Sequence, residues 1–429
     1  MKKIIPREIV LIALIFALIL PTSSSAKASY SLQTQIKTLI SQPTKPAKLA
    51  QPAQPTKSIK PAQPVSANTL PPNRVSVPSP TTEQLNPIGY DEQNRTRNAA
   101  DELAQRKTLL SEAVGYGKDA TGGANGKIYH VTTLANSGPG SLRDAVQNTD
   151  PLWIVFDVSG TIDLNRKSLR IKSNKTIDGR NAHVTLSNAP IQIFDARNII
   201  IENIKIDRND QMIGMRLLRS NAVWIDHVSF LGGITGSGDP LYANLLAIMD
   251  GSSNVTVSWS RFVNQDKGVE IGHSNTKEYS DDESMYVTLH HNYMSANRRN
   301  PRINRAHVHA FNNVVSQWAC DGYGMVAANN GKLFAEGNVL TAKTGCKNVC
   351  KANVSAIRSG DITSKKSCTV DKAGVVLSQN NLFQSGAQLI GQTVSPRQIF
   401  NPQNRYNYAV ETASAVMEQK VASTAGATR

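Results

Sequence analysis

From about residue 175 the chain repeats one short pattern of apolar and polar positions. It runs Asn198-Ile-Ile-Ile-Glu-Asn-Ile-Lys-Ile206, then Asn221-Ala-Val-Trp-Ile-Asp-His-Val-Ser-Phe230, then Asn254-Val-Thr-Val-Ser-Trp-Ser-Arg-Phe262. Tyr286–Met294, Ala306–Val314 and Lys332–Val339 continue it, with starts 23, 33, 32, 20 and 26 residues apart. Apolar residues alternate with others within each unit, the period of a strand. Near each middle lies a small or polar residue: Asn203, His227, Ser260, Asn292, Asn313 and Asn338. Asn tolerates left-handed backbone, so it can turn a sharp corner, and stacked Asn side chains can bond from coil to coil. Short strands recurring at this period predict a solenoid. No leucine consensus supports a leucine-rich repeat, and no recurring Asn-Gly or Asp-Gly turn supports a sandwich. The expected fold is all-β, a single-stranded right-handed parallel β-helix. Its longer loops, 231–250, 264–285 and 341–375, are expected on one flank, beside a groove. A helical stretch over 92–113 is expected to cap the first coil, and the polar residues after Glu411 to be disordered.

The N-terminus adds an address. Lys2, Lys3 and Arg7 precede an apolar run from Ile9 to Leu20, then Pro21 and small residues to Ala26. This is a secretory leader pattern over 1–26, too short in its apolar part for a membrane span. Residues 27–85 are rich in Pro, Gln, Ala and Lys and read as a linker. Residues 86–429 are the solenoid domain, secreted and free of the membrane once the leader is removed. The net charge is +15. Residues 1–80 carry ten Lys/Arg and one acid, so most of the excess is in the leader and linker. No nucleic-acid-binding motif accompanies it. Cys320, Cys346, Cys350 and Cys368 are an even set in an exported chain, which predicts disulfides in one of three connectivities. The Cys346/Cys350 spacing with no nearby His argues against zinc.

Several segments resemble the pectate and pectin lyases of polysaccharide lyase family 1. They are Ser137-Gly-Pro-Gly-Ser-Leu-Arg-Asp-Ala145, Ile154-Val-Phe-Asp-Val-Ser-Gly160, Lys175-Thr-Ile-Asp-Gly179, Trp224-Ile-Asp-His227, Asn254-Val-Thr-Val-Ser-Trp259, Leu289-His-His-Asn292 and His307-Val-His-Ala-Phe-Asn-Asn313. The resemblance implies β-elimination on acidic polysaccharide, homogalacturonan. A solenoid needs no partner to close its core, so a monomer is expected. It needs no pair of catalytic carboxylates, unlike a glycoside hydrolase. In the family's Arg-x-Pro-Arg-x-Arg segment, Arg299 falls on the catalytic base and Arg302 on the middle, substrate-side arginine. The last arginine is Asn304 here, and Arg305 is expected to point elsewhere. Lys267 matches the lysine that binds a substrate carboxylate, a task suited to an ammonium. Trp224 to His227 are expected to be structural.

Calcium is the cofactor the resemblance implies, held by carboxylates of neighbouring coils. The matching positions are Ile213, Ala243 and Ala247, none of which is acidic. No metal ligand is therefore assigned, and the cofactor is left unknown. Three readings follow. The chain is a calcium-independent lyase on methylated pectin, with Arg216 or Arg219 supplying the missing positive charge. Alternatively it is a lyase-like carbohydrate-binding protein with little turnover, or it takes calcium only together with substrate. The basic stretch 341–375, with Lys343, Lys347, Lys351, Arg358, Lys365, Lys366 and Lys372, is a further candidate contact for a polyanion.

Overall fold

The structure, a computed structural model, describes residues 92–208, 213–233, 244–273, 283–347, 354–364, 369–371 and 373–428. The chain divides into Met1–Leu85 and Asn86–Arg429. The expected leader and linker fall in the first unit, outside the described residues.

Among the described residues of the second unit, three parallel sheets of ten, nine and nine strands are accompanied by one short antiparallel pair. Strands adjacent in a sheet lie one coil apart: Asn221–Asp226 pairs with Arg197–Glu202 on one side and Ser253–Ser258 on the other. This is the parallel β-helix the repeat predicts. Each repeat unit supplies a strand of the ten-stranded sheet, a corner, and a strand of one nine-stranded sheet, as in Arg197–Glu202 and Lys205–Arg208. The third strand of each coil belongs to a second nine-stranded sheet, here named the groove sheet. It contains Ile191–Phe194, Met215–Leu218, Asn244–Met249, Lys267–Ile271, Arg302–Asn304, Met325–Ala328 and Ser355–Ser359.

Alternation places like residues above one another inside the coils. Ile154, Ile177, Ile201, Ile225, Val257, Leu289, Ala310 and Ala335 occupy successive rungs and are all buried. Each large aliphatic side chain so buried stabilises the fold by about 1.5–3 kcal/mol relative to exposure. Phe230 and Phe262 stack with centroids 4.7 Å apart.

The corner works as expected in outline, but its two tasks fall on different residues. Left-handed backbone occurs at Asn203, His227, Trp259, His291, Asn312 and Gly337. The hydrogen-bonded ladder is one residue later. Asn292 Oδ1 accepts from the Ser260 N–H at 3.0 Å, and Asn313 Oδ1 from the Asn292 N–H at 3.0 Å. Asn338 Oδ1 accepts from the Asn313 N–H at 2.9 Å. Asn203 and His227 are corners, whereas Ser260, Asn292, Asn313 and Asn338 are ladder residues.

Two expectations about the ends are corrected. The first helix, α1 (Glu92–Ser111), does not close the end of the solenoid. Its Leu109 packs with Ala120, Trp153, Ile200 and Trp224, along the outer side of the ten-stranded sheet. The end is covered instead by α2 (Leu142–Gln147), which inserts Leu142, Ala145 and Val146 into the main core. The residues after Glu411 are ordered: α3 (Ala415–Thr424) is capped by Ser414, and Met417 and Val421 pack on Val314 and Val339. An apolar pair four residues apart is enough to dock one face of so short a helix. The chain enters the groove sheet at Asn244 and Ser355 and leaves it at Ile271 and Ser359. The expectation that the longer loops share one flank falls on 234–243, 274–282, 348–353 and 365–368, which lie outside the described residues. Cys320 and Cys346 form a disulfide, with Cα atoms 5.3 Å apart. Cys350, Cys368, Lys351, Lys365, Lys366 and Lys372 lie outside the described residues.

Candidate active site

The outer face of the groove sheet carries one row of side chains along the solenoid axis. Register aligns Arg170, Gln192, Arg216, Ala247, Glu270, Arg302, Val326 and Arg358. Their neighbours Ile193, Leu217, Ile248, Ile271 and Ile303 are buried in the core, so alternation turns this row outward. Rungs are about 4.8 Å apart. A linear polyanion lying along the axis would therefore meet arginines at intervals of two or three rungs.

The centre of the row is an acid between two arginines. Arg299 Nη1 donates to Glu270 Oε2 and, at 2.9 Å, to Asn244 Oδ1. Asn244 Nδ2 donates to Glu270 Oε2 at 3.3 Å, and Arg302 Nη1 reaches Glu270 Oε1 at 3.4 Å. Glu270 and Asn244 are buried, and both arginine side chains are mostly shielded. Lys267 opens the same strand, three residues before Glu270 and in register with Asn244. It is buried and bridges Arg298 through the main chain. The Gly268 N–H donates to Arg298 O at 3.0 Å and the Val269 N–H to Arg299 O at 2.7 Å. Arg299 itself has left-handed backbone, φ 62°. The loop bearing Arg299 is thus laced to the strand bearing Lys267.

Asn304 is buried, donates to Gly272 O at 3.2 Å and accepts from Asn329 Nδ2 at 2.7 Å. Arg305 sits past the strand end with φ 60°. Arg216 and Arg219 separate clearly. Arg219 binds Asp195 at 2.6 and 3.1 Å and reaches Asp250 at 3.3 Å, in an exposed ion ladder beside the row. Arg216 lies in the row itself, and its Nε is buried with no hydrogen-bond partner. Arg358 also belongs to the row, not to a loop. Its guanidinium lies 4.7 Å over the Tyr323 ring. Trp224 to Asp226 lie on the ten-stranded sheet, and His227 at the corner that follows. Trp224 Nε1 donates to Ser258 Oγ at 2.9 Å, and His227 Nδ1 pairs with Asp226 Oδ2 at 2.6 Å. Sequence reasoning missed Glu270 and Asn244. The signal was present: Glu270 is flanked by Val269 and Ile271, which alternation sends to the core.

Residues 98–429 match the family described as Pectate lyase. The chain belongs to the pectate lyase family. Probable pectate lyase 4 of Arabidopsis thaliana is 36% identical over 261 residues, 57% of this chain and 67% of that relative. Putative pectate lyase 21 of the same plant is 33% identical over 259 residues, 55% of this chain and 63% of the relative. The pectate lyase of Zinnia elegans is 33% identical over 265 residues, again 55% and 63%. The chain therefore spans slightly under two thirds of the length of two of these three. Among solved structures, the cedar pollen allergen jun a 1 is similar with TM-score 0.61 and 25% identity, over 73% of this chain and 92% of that one. The Bacillus sp. N165 pectate lyase in complex with trigalacturonate shares the fold, with TM-score 0.54 and 22% identity, over 73% and 98%.

The calcium that the pectate lyase resemblance implies does not fit the described residues. Ala247 presents a methyl group between Arg216 and Glu270, and Ile213 offers no ligand atom. Ala243 lies outside the described residues. A guanidinium one rung from Ala247 repels a divalent cation, and Glu270, the acid in register with Ala247, is engaged by two arginines. Among the described residues, Glu202, Asp226 and His227 are the one group of three donors close enough for a metal. They lie on the ten-stranded sheet, within the hydrogen-bonded unit already described.

Proposed function

We propose that this chain is a secreted, monomeric lyase that cleaves homogalacturonan by β-elimination, acts without calcium at the family position, and prefers methyl-esterified pectin. The observation that carries the reading is the convergence of Arg299, Arg302 and the Lys267 strand on one outward row. Lys267 and Arg302 engage the uronyl carboxyl groups of the polymer. Arg299 takes the C5 proton, the electrons form the C4–C5 double bond, and the C4–O bond breaks. The leaving oxygen takes a proton from water. Arginine is a base only in its neutral form, which is scarce near neutral pH, so turnover is expected to rise with pH. An ionised carboxylate holds the C5 proton tightly, whereas a methyl ester withdraws electrons and loosens it. Arg216 stands where positive charge would otherwise come from a metal, and meets the carbonyl oxygen of the ester. The leader pattern supports secretion, and a core closed within one chain supports a monomer.

The test is release of unsaturated product, read by ultraviolet absorbance, from polygalacturonate and from highly methylated pectin, each with and without chelator. Product from methylated pectin, undiminished by chelator, is expected. Cleavage of polygalacturonate that chelator abolishes would overturn the calcium-free reading. Binding without product on either polymer would leave a carbohydrate-binding protein in place of the lyase.

A further inference from the structure

Glu270 is the residue in the groove that neither the motifs nor the family positions bring to attention. It is a buried carboxylate placed where two arginines converge. Its Oε2 accepts from Arg299 Nη1 and Asn244 Nδ2, and its Oε1 faces Arg302 Nη1. A substrate carboxylate seeking the paired donors of arginine would seek the same groups. Asn244 closes the arrangement, because it donates to Glu270 and accepts from Arg299. The acid is therefore held by three side chains from the two groove-sheet rungs that flank it, Arg299 lying in the loop that enters one of them. It is part of the groove's built structure, not a surface charge at its rim.

We propose that Glu270 is the residue that sets the ester specificity of this groove. It acts as an internal carboxylate that occupies Arg299 and Arg302 and repels an ionised uronate at the cleavage position. A methyl ester is neutral and needs only one donor for its carbonyl oxygen, so it enters without displacing Glu270. An ionised carboxylate must either displace Glu270 or sit beside it as a like charge in a shielded site. Discrimination by a repulsive element is a general route to specificity. Glu270 has a second effect that does not depend on the substrate. By holding Nη1 it positions Arg299. That effect acts equally on both polymers and cancels when the two are compared. The inference rests on the lyase reading above and assigns its selectivity to one side chain.

The experiment measures kcat/KM on polygalacturonate and on methylated pectin for the full-length protein and for Glu270→Gln, Glu270→Leu and Glu270→Asp. The readout is the ratio of the two values. Glu270→Gln and Glu270→Leu are expected to raise the polygalacturonate-to-pectin ratio at least tenfold. Glu270→Asp, which restores the charge, is expected to stay within about threefold of the parent. An unchanged ratio in both neutral variants would overturn the proposal while leaving the lyase reading intact. Absence of product from the parent protein on either polymer would instead refute the lyase reading. If the neutral variants do not fold, binding of trigalacturonate and its trimethyl ester to the parent protein decides. The ester is expected to bind at least as tightly, and tenfold tighter binding of the free acid would sink the proposal.

Discussion

Replacing Gly268 by Ala tests whether the groove works by the placement of Arg299. The substitution adds one methyl group between Lys267 and the strand residues that follow. A Cβ at Gly268 would lie 2.7 Å from Arg299 O, 3.0 Å from Asn300 Oδ1 and 3.1 Å from Ala296 Cβ. Ordinary contact begins at 3.4 Å, so the Arg299 carbonyl must retreat by about 0.7 Å. That carbonyl accepts the Val269 N–H at 2.7 Å, so the retreat stretches the bond lacing the loop to the Lys267 strand. Overpacking of this kind costs about 1–3 kcal/mol of stability. A misplacement near 1 Å in an active site costs on the order of 100-fold in rate. The Gly268→Ala variant is therefore expected to remain folded, with a lower melting temperature, and to lose about 100-fold in kcat on methylated pectin. Circular dichroism melts and initial rates on the same preparation separate the two effects. A folded variant with undiminished kcat would refute the claim that this contact places Arg299.

Two further predictions follow from the same geometry. Arg216→Ala removes a cation from the row, and a charge-assisted hydrogen bond is worth about 1.5–3 kcal/mol, so kcat/KM is expected to fall about 10- to 100-fold. Arg219→Ala, whose partners are Asp195 and Asp250, is expected to stay within about threefold; equal losses in both variants would contradict their assignment. Burial lowers the pKa of His290 to about 3 and also lowers His291, His307 and His309 below the usual histidine value. These groups stay neutral in the fold while the unfolded chain takes up protons below pH ~6.5, so stability is full above that pH and falls as pH drops toward 3. His290 alone is expected to remove about 1.6 kcal/mol between pH 6.5 and 5, read from urea midpoints; constant stability across that range would exclude it.

The ten-stranded sheet and its neighbour were legible because each repeat unit is one strand, one corner and one strand, with inward aliphatics at every second position. The groove sheet was not. Asn244–Met249 reads as one apolar run after its first residue, and Lys267–Ile271 alternates only over Val269-Glu270-Ile271, too briefly to mark a strand by itself. Both fell inside stretches read as loops. The corner was placed one residue off in the later coils for a related reason. Asn suits both a left-handed corner and a stacked ladder, and in Asn312-Asn313 the two tasks sit side by side. The fate of the C-terminus was hidden because the outer face that receives Met417 and Val421 is made by strands far away in the chain.

The same distance in sequence explains why the candidate base was legible and its partner was not. Arg299, Arg302 and Lys267 stand in local motifs that can be recognised one at a time. Glu270 acquires meaning only when register sets it against Arg302 and the loop returns Arg299 to it. The missing calcium then takes on a different meaning. The arrangement the family resemblance implies, three carboxylates and one divalent ion, sums to one negative charge. Arg216 and Glu270, one of each sign, sum to none. The groove thus keeps nearly the charge balance of a calcium site while building it from side chains fixed on the sheet. A fixed pair cannot follow a substrate carboxylate as a bridging ion does. That rigidity favours a substrate whose carboxyl group brings no charge of its own, so the loss of the calcium ligands and the presence of Glu270 argue for the same esterified polymer.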